Sequence, residues 1–250
     1  RRPVAGDGQQ LLLAEDNGSG RVWRSIDGGT SYFDVAGLPP GGRWVSASMS
    51  LDGRVMAATQ NTLVPDNKTV LSTDGGATWV TLTTPAGMHA VSVSGDGSTL
   101  VGITEVGTDN SVYVSKDDGA TWVARRVVGT SGNGNLLRVA VSDDGKTIAA
   151  STFDGRTHIS FNAGRDWDAP GAVSHWYGLA VSGDGKKVFA APGNGMVGPV
   201  RIGTPATVGR TTAGATGYFA GPQYAGASLQ YMGADTWLIK ALTGTSQVAR

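Results

Sequence analysis

Two short turn sequences recur along this chain at a spacing of about 45 residues, and the two series are interleaved. The first turn is Ser-x-Asp-Gly or a near copy of it, and its aspartates are Asp7, Asp52, Asp96, Asp144 and Asp184. The second turn reads SIDGGTSY from Ser25, STDGGATW from Ser72, SKDDGATW from Ser115 and SFNAGRDW from Ser160. Each turn joins short runs rich in Val, Leu and Ile, as in a β-hairpin. Two hairpin series with one period predict a radial repeat of four-stranded antiparallel sheets.

The strands that flank the first turn align from copy to copy. Before the turn stand SASMS (46–50), AVSVS (90–94), RVAVS (138–142) and GLAVS (178–182). After it stand LLLAE (11–15), VMAAT (55–59), TLVGI (99–103), TIAAS (147–151) and KVFAA (187–191). Ser, Ala and Gly recur in the strands before the turn. Small side chains suit the crowded strand nearest the axis of a radial array, so we expect these strands to be the innermost ones.

The second turn adds a resemblance to a known family. STDGGATW and SKDDGATW resemble the Asp-box, or bacterial neuraminidase repeat, of Asp-box β-propellers, and by pattern the resemblance covers residues 1 to about 191. It implies that these turns are structural and lie on the face away from any binding or active site. The residues concerned are Asp27, Asp74, Trp79, Asp117, Trp122 and Trp167. Calcium binding is the alternative for the aspartates, although no copy has the ligand series of an EF-hand loop.

The repeat count predicts a single all-β domain, a six-bladed β-propeller of four-stranded antiparallel blades. Five repeats reach residue 205 or so, and four more strand candidates follow at 217–221, 227–232, 236–242 and 246–250. The expected blades are approximately 1–38, 39–84, 85–130, 131–170, 171–212 and 213–250. Because the chain starts late in an inner strand, we expect ring closure to combine both chain ends in one sheet. Five or seven blades remain alternatives.

Composition narrows the functional classes. Twenty Lys and Arg balance 20 Asp and Glu without a basic run, which argues against nucleic-acid binding. No stretch of about 18 apolar residues is present to span a membrane as a helix. The absence of cysteine excludes disulfides, thiolate metal sites and a cysteine nucleophile, and no cofactor is expected. Since Arg1 and Arg2 open the chain without an apolar leader, we expect a processed bacterial protein, secreted to the periplasm or the extracellular space.

The expected binding surface lies opposite the marked turns. In an up-and-down blade both turns lie on one rim, so the loops that vary in length lie on the other, where binding is usually placed. Around the central mouth of that rim we expect Arg43, Trp44, His89, Arg138, His175, Trp176 and Tyr177. Aromatic rings beside Arg and His suit stacking on sugars and hydrogen bonding to hydroxyls or a carboxylate. Packing between blades is the alternative for the aromatic residues.

Six blades with Asp-boxes resemble the sialidases, but the catalytic set that this family requires is missing. Its Phe/Tyr-Arg-Ile-Pro motif has no counterpart, because Val200-Arg201-Ile202-Gly203 lacks the proline and falls in the wrong blade. Glu15 and Glu105, the two glutamates of the chain, are placed at loops or strand ends. Other carboxylates on the expected rim are Asp66, Asp109, Asp154 and Asp168, and their spacing selects no catalytic pair.

The histidines do not predict a metal site. His158 takes the strand position that holds Trp23, Val70 or Tyr113 in other repeats, which indicates packing, whereas His89 and His175 begin inner strands. The sequence therefore favours a non-catalytic, exported Asp-box propeller that binds a glycan or a protein partner through the variable rim. Two alternatives stay open: a glycoside hydrolase whose carboxylates converge in the fold, and a structural subunit of an extracellular assembly, for which self-association is expected.

Overall fold

The structure is a computed structural model. It describes residues 5–16, 20–61, 67–85, 87–104, 110–127, 136–152, 155–169, 173–174 and 176–191 with their side chains. For residues 192, 201–203, 219–220, 226–233, 236–243 and 247–248 it describes the backbone alone. The described part of the chain is all-β, and it contains no helix.

Five sheets follow one another along the chain, and in each the strands pair antiparallel in sequence order. The first is β1 (Leu11–Ala14), β2 (Val22–Ser25) and β3 (Phe33–Asp34). The second is β4 (Arg43–Met49), β5 (Met56–Asn61), β6 (Lys68–Ser72) and β7 (Val80–Thr81). The third is β8 (Met88–Val93), β9 (Leu100–Thr104), β10 (Ser111–Ser115) and β11 (Val123–Arg126). The fourth is β12 (Leu136–Val141), β13 (Ile148–Thr152) and β14 (Thr157–Ser160), and the fifth is β15 (Trp176–Val181), β16 (Val188–Pro192) and β17 (Arg201–Gly203).

Every strand that the first-turn alignment predicted is present, within a few residues of its expected bounds. In the fourth sheet two isolated bridges, Ile159 with Asp168 and Gly155 with Ser174, stand where the outer strand was expected. The sequence thus predicted the order and antiparallel pairing of these strands, including two complete four-stranded sheets.

The sheets stack face to face. All five positions of β9, β10 and β13 are buried, which requires neighbouring sheets on both faces because side chains alternate across a strand. The outermost strands β3 and β7 are exposed. Apolar clusters fill the spaces between consecutive sheets; one of them joins Ile103 and Val112 of the third sheet to Val139 and Ile148 of the fourth.

The innermost strands are also joined by hydrogen bonds from their small side chains. The hydroxyl of Ser46 in β4 donates to the carbonyl oxygen of Val91 in β8 and accepts from the amide of the same residue, both at 3.2 Å. Further along, the hydroxyl of Ser48 accepts from the Val93 amide at 2.9 Å. This contact explains the small residues of the inner strands, since a larger side chain would separate the two backbones.

The first turns form a ladder from sheet to sheet. Backbone amides donate to the next turn from Gly6 to Leu51 (2.8 Å), from Leu51 to Gly95 (2.9 Å), from Asp96 to Asp143 (3.0 Å) and from Asp143 to Gly183 (3.0 Å). Five consecutive turns are therefore held side by side. Each bond joins two turns that are consecutive in the sequence. The sheets therefore follow one another in chain order, with their first turns in contact.

Four strands follow in the last part of the chain: β18 (Phe219–Ala220), β19 (Gly226–Gly233), β20 (Thr236–Thr243) and β21 (Gln247–Val248). Their positions agree with the four strand candidates of the sequence. Their pairing does not follow a simple meander, because β18 pairs with β21 while β19 pairs with β20. A sixth blade, its closure scheme and the six blade boundaries stay predictions.

Candidate functional site

Both marked turns lie at one end of each sheet. The residue that opens the strand after the first turn pairs with the serine that opens the second turn, as in the pair Leu11 and Ser25 and the pair Met56 and Ser72. The backbone also joins the turns directly, since the amide of Gly75 donates to the carbonyl of Arg54 at 2.8 Å. We call this the turn end. The inner strands begin at the opposite end.

The carboxylates of the second-turn aspartates are hydrogen-bonded within the turns themselves. In the second sheet, Asp74 accepts hydrogen bonds from the Ser72 hydroxyl (2.8 Å), the Thr78 amide (2.9 Å) and the Thr78 hydroxyl (2.6 Å). These bonds, that from the Thr78 hydroxyl first, lower the pKa of Asp74 to about 2. The same set surrounds Asp27 and Asp117. A structural role accounts for these carboxylates.

The copy of the second turn that begins at Ser160 keeps this geometry, but the hydrogen-bond donor and acceptor are exchanged. Asn162 stands in place of the aspartate, and its Oδ1 accepts from the Ser160 hydroxyl at 3.0 Å and from the Asp166 amide at 2.9 Å. Its amide group then donates to the Asp166 carboxylate at 2.7 Å. In the other turns the hydroxyl at this position donates to the aspartate. The change to Asn162 and Asp166 is therefore a complementary exchange of donor and acceptor.

The tryptophans of the second turns pack against the apolar clusters between sheets. Trp79, Trp122 and Trp167 are partly buried, and each lies against a different apolar cluster between sheets. Among the described residues no group of three His, Asp or Glu side chains is placed to hold a metal ion.

The opposite end carries a feature that the sequence analysis missed. Four inner strands have a β-bulge at the same point, between Trp44 and Ser46, Met88 and Ala90, Leu136 and Arg138, and Trp176 and Gly178. The extra residues are Val45, His89, Leu137 and Tyr177, and all four are half-buried. We call these four residues the collar. Bulges are common beside functional sites, where they redirect a side chain. Because the strand pattern around them reads as unbroken alternation, no sequence signal marked them.

The residue before each collar position is buried. Trp44 is 0% and Trp176 is 2% exposed, and their indole nitrogens donate to the carbonyls of Gly20 (2.8 Å) and Gly155 (3.1 Å). Neither ring offers a face for stacking on a sugar in this structure. In this structure the two indoles pack at the junctions with the preceding sheets, as in the packing alternative.

Charged groups gather beside the collar. Arg43 and Asp16 form an ion pair, with Arg43 Nε 2.6 Å from Asp16 Oδ1, and both are more than half exposed. Arg138 is half-buried and donates from Nη1 to the carbonyl of Leu137 at 2.8 Å. Burial lowers the pKa of Arg138, while the charges of Tyr177 and Asp16 act in the opposite direction. In the described residues, no carboxylate forms an ion pair with Arg138.

The remaining candidates are dispersed. His158 is 1% exposed in the core, where burial and the charge of Arg156 lower its pKa to about 4. Glu15 accepts from the Trp23 indole at 3.1 Å, and Asp168 pairs through its backbone with Ile159. His175, Glu105, Asp66, Asp109 and Asp154 lie outside the described residues, so the proposed hydrolase stays a hypothesis.

Comparison with solved structures gives two informative matches. A structure described as YCF48 bound to D1 peptide matches 95% of this chain and 80% of its own, with 16% identity and a TM-score of 0.60. A nidogen/laminin complex matches 82% of this chain and 75% of its own, with 11% identity and a TM-score of 0.61. No protein-family model matches the chain, and no curated protein matches it either.

This chain folds as a β-propeller. Its turn end is closed by the inter-sheet ladder, and its collar end presents the bulged inner strands. No helix among the described residues has the length and apolarity to cross a membrane. Of the predicted mouth residues, Tyr177 acts electrostatically on Arg138, and Arg43 pairs with Asp16, whose charge also acts on Arg138.

Proposed function

We propose that this propeller is a non-catalytic binding protein that recognises a protein partner through the collar end. The observation that carries the proposal is the collar itself, in which four bulges bring Val45, His89, Leu137 and Tyr177 to one end of the inner strands. These side chains are apolar or aromatic and half-buried, which suits a surface that holds another chain. The burial of Trp44 and Trp176 favours a protein ligand over a sugar.

Arg138 supplies the polar part of the proposed surface. A half-buried guanidinium whose one hydrogen bond among the described residues goes to a neutral carbonyl retains donors for a ligand. A carboxylate of the partner would pair with it in the bidentate geometry that arginine favours. We therefore expect the bound segment to combine an acidic group with an apolar side chain, since Arg138 lies next to the collar residue Leu137.

The comparisons support a binding role at the level of the fold. One similar propeller is described with a bound peptide and the other in a complex with a protein. We also assign the second turns to the Asp-box, which their shared hydrogen bonding and tryptophan packing support. Export and a bacterial source are part of the same proposal and rest on the Asp-box resemblance.

The test is selection of binding peptides. A random peptide library displayed on phage is selected against the immobilised protein, and the enriched peptides are measured by fluorescence anisotropy. We expect peptides with an acidic residue, whose dissociation constants rise by about tenfold or more for Arg138→Gln because a charged hydrogen bond is lost. Tyr177→Ala should weaken binding as well, whereas Arg54→Ser, which removes a cation at the turn end, should not.

Two outcomes would overturn the proposal. One is an enriched set whose affinity ignores Arg138→Gln and Tyr177→Ala but falls with Arg54→Ser. The other is the absence of any enriched peptide together with saturable binding on a glycan array, which would establish the sugar ligand instead. Circular dichroism of each variant checks that the fold is retained.

A further inference from the structure

A separate basic groove lies between the outer parts of the third and fourth sheets, away from the collar. Its volume is about 210 Å³. Three of its lining residues are cationic, namely Lys116, Arg125 and Arg165, and Val114, Val123 and Ala163 form apolar walls. We infer that this groove binds a tetrahedral oxyanion, a phosphate or sulfate group, held by the three cations.

The net charge of the groove is positive because three cations outnumber one carboxylate, whose oxygens are bonded within its own turn. Asp117 lines the cavity, but its oxygens accept from the Ser115 hydroxyl (2.8 Å), the Thr121 amide (2.9 Å) and the Thr121 hydroxyl (2.5 Å). Among the described residues, none of the three cations forms an ion pair. Three positive charges with one internally bonded carboxylate leave an excess for a bound anion.

Arg125 is held in a way that directs its guanidinium into the groove. A Cβ on Gly164 would touch Cβ and Cγ of Arg125, so the stem of the arginine lies on the backbone of the neighbouring turn. The Nε atom of Arg125 is buried, and no hydrogen-bond acceptor contacts it among the described residues. Because Nε is shielded from solvent, an oxyanion in the groove would bind to the Nη donors of the same guanidinium.

The equivalent place one interface earlier lacks the three cations and carries two aspartates, Asp74 and Asp118, at the positions of Asp117 and Ala163. Gly119 contacts Leu82 just as Gly164 contacts Arg125, which makes Leu82 the equivalent of Arg125 one interface earlier. Repeat positions make Thr73 the equivalent of Lys116, and Ala120 that of Arg165. At the preceding interface, three neutral residues thus occupy the positions that the three cations occupy in the groove. Packing between sheets therefore does not require the basic residues, since the preceding interface packs without them.

The size of the groove fits a small group. A volume of about 210 Å³ corresponds to roughly seven waters, which is room for an oxyanion with part of its hydration or with one attached sugar carbon. Arginine forks match the oxygens of phosphate and sulfate, and lysine adds a point charge.

The test uses the repeat as its own source of substitutions. The variant Lys116→Thr, Arg125→Leu and Arg165→Ala copies the preceding interface, so it should keep the fold. Inorganic phosphate, inorganic sulfate and glucose 6-phosphate are titrated at constant ionic strength, and amide shifts of Val114, Val123 and Ala163 are followed by NMR. We expect saturable shifts in the parent. In the variant the affinity should fall by about tenfold or more.

A charge-matched control is Arg54→Ser, Lys146→Ser and Lys186→Ser, which copies Ser98 at the equivalent first-turn positions. It removes the same number of charges from residues that do not line the groove, and it keeps the Lys146 backbone carbonyl that accepts from the Ala163 amide at 2.8 Å, so the affinity should be unchanged. Equal binding by free phosphate and glucose 6-phosphate identifies the ion as the ligand, and tighter binding of the ester identifies a phosphorylated sugar. Shifts that do not saturate, or that persist in the groove variant, would overturn the inference.

Discussion

At the scale of single residues, hydrogen bonds in the turns keep the aspartates ionised, while burial keeps His158 neutral at neutral pH. His158 is enclosed among the strands of the fourth sheet with a pKa near 4. In the unfolded chain a histidine titrates near 6.5, so between these values the unfolded state binds more protons than the folded one. This contribution to stability is complete above pH 6.5 and is lost as the pH falls towards 4.

We therefore expect the equilibrium constant for unfolding to rise by up to about tenfold for each unit by which the pH falls across that window. His158→Val, which copies Val70 of the second sheet, should remove most of this slope. Urea unfolding at several pH values measures it. An unchanged slope in the variant would mean that another group is responsible.

The reversed fourth turn gives a second prediction at this scale. Asp74→Asn with Thr78→Asp copies the Asn162 and Asp166 pair into the second sheet. Thr78→Asp alone places two carboxylates together and should destabilise the protein, because like charges within contact distance repel. The double variant should recover much of that loss, with a coupling of about 1 to 3 kcal/mol for the charged hydrogen bond. Urea unfolding of the four proteins measures the cycle, and additive effects would contradict the exchange.

At the scale of strands and turns, glycine decides how closely two turns approach. Asp143 lies between Gly95 and Gly183, and a Cβ on either glycine would collide with its carboxylate. Burial and the charges of Asp96, Asp144 and Asp184 raise the pKa of Asp143, so its side chain is already in an unfavourable place.

Gly95→Ala should therefore destabilise the protein, because Asp143 cannot move away from one neighbour without meeting the other. We expect a loss of about 1 to 3 kcal/mol, as for overpacked sites in general. Asp143→Gly should restore the room, so the double variant should be more stable than Gly95→Ala alone. Thermal unfolding gives the comparison, and a double variant no better than the single one would refute this explanation.

Sequence predicted the elements better than the site, for physical reasons. Turn residues are local, so Ser50, Asp52 and Gly53 specify a hairpin wherever they occur, and the strands beside them were predicted to within a few residues. The bulge at Val45 depends on how β4 meets β5, which no local pattern records. Likewise, the mouth position of Trp44 followed from the alignment, but its burial depends on the neighbouring sheet.

At the scale of the whole molecule, the two ends of the sheets differ in how strongly the backbone constrains them. The turn end is fixed by a ladder of backbone bonds through Leu51, Gly95 and Asp143, so its geometry tolerates little change. The collar end lacks this ladder among the described residues, and its side chains differ from sheet to sheet. A fixed end and a varied end on one scaffold allow recognition to change without loss of the fold.

Hydrogen–deuterium exchange with a peptide from the library selection tests this division most directly. Bound peptide should slow exchange where the inner strands begin, at residues 43–46, 88–90, 136–138 and 176–178, and should leave the first turns at 50–53, 94–97 and 142–145 unchanged. Arg138→Gln should weaken the slowing at a peptide concentration near the dissociation constant of the parent. Slowed exchange confined to the first turns, with the inner-strand starts unaffected, would contradict the account.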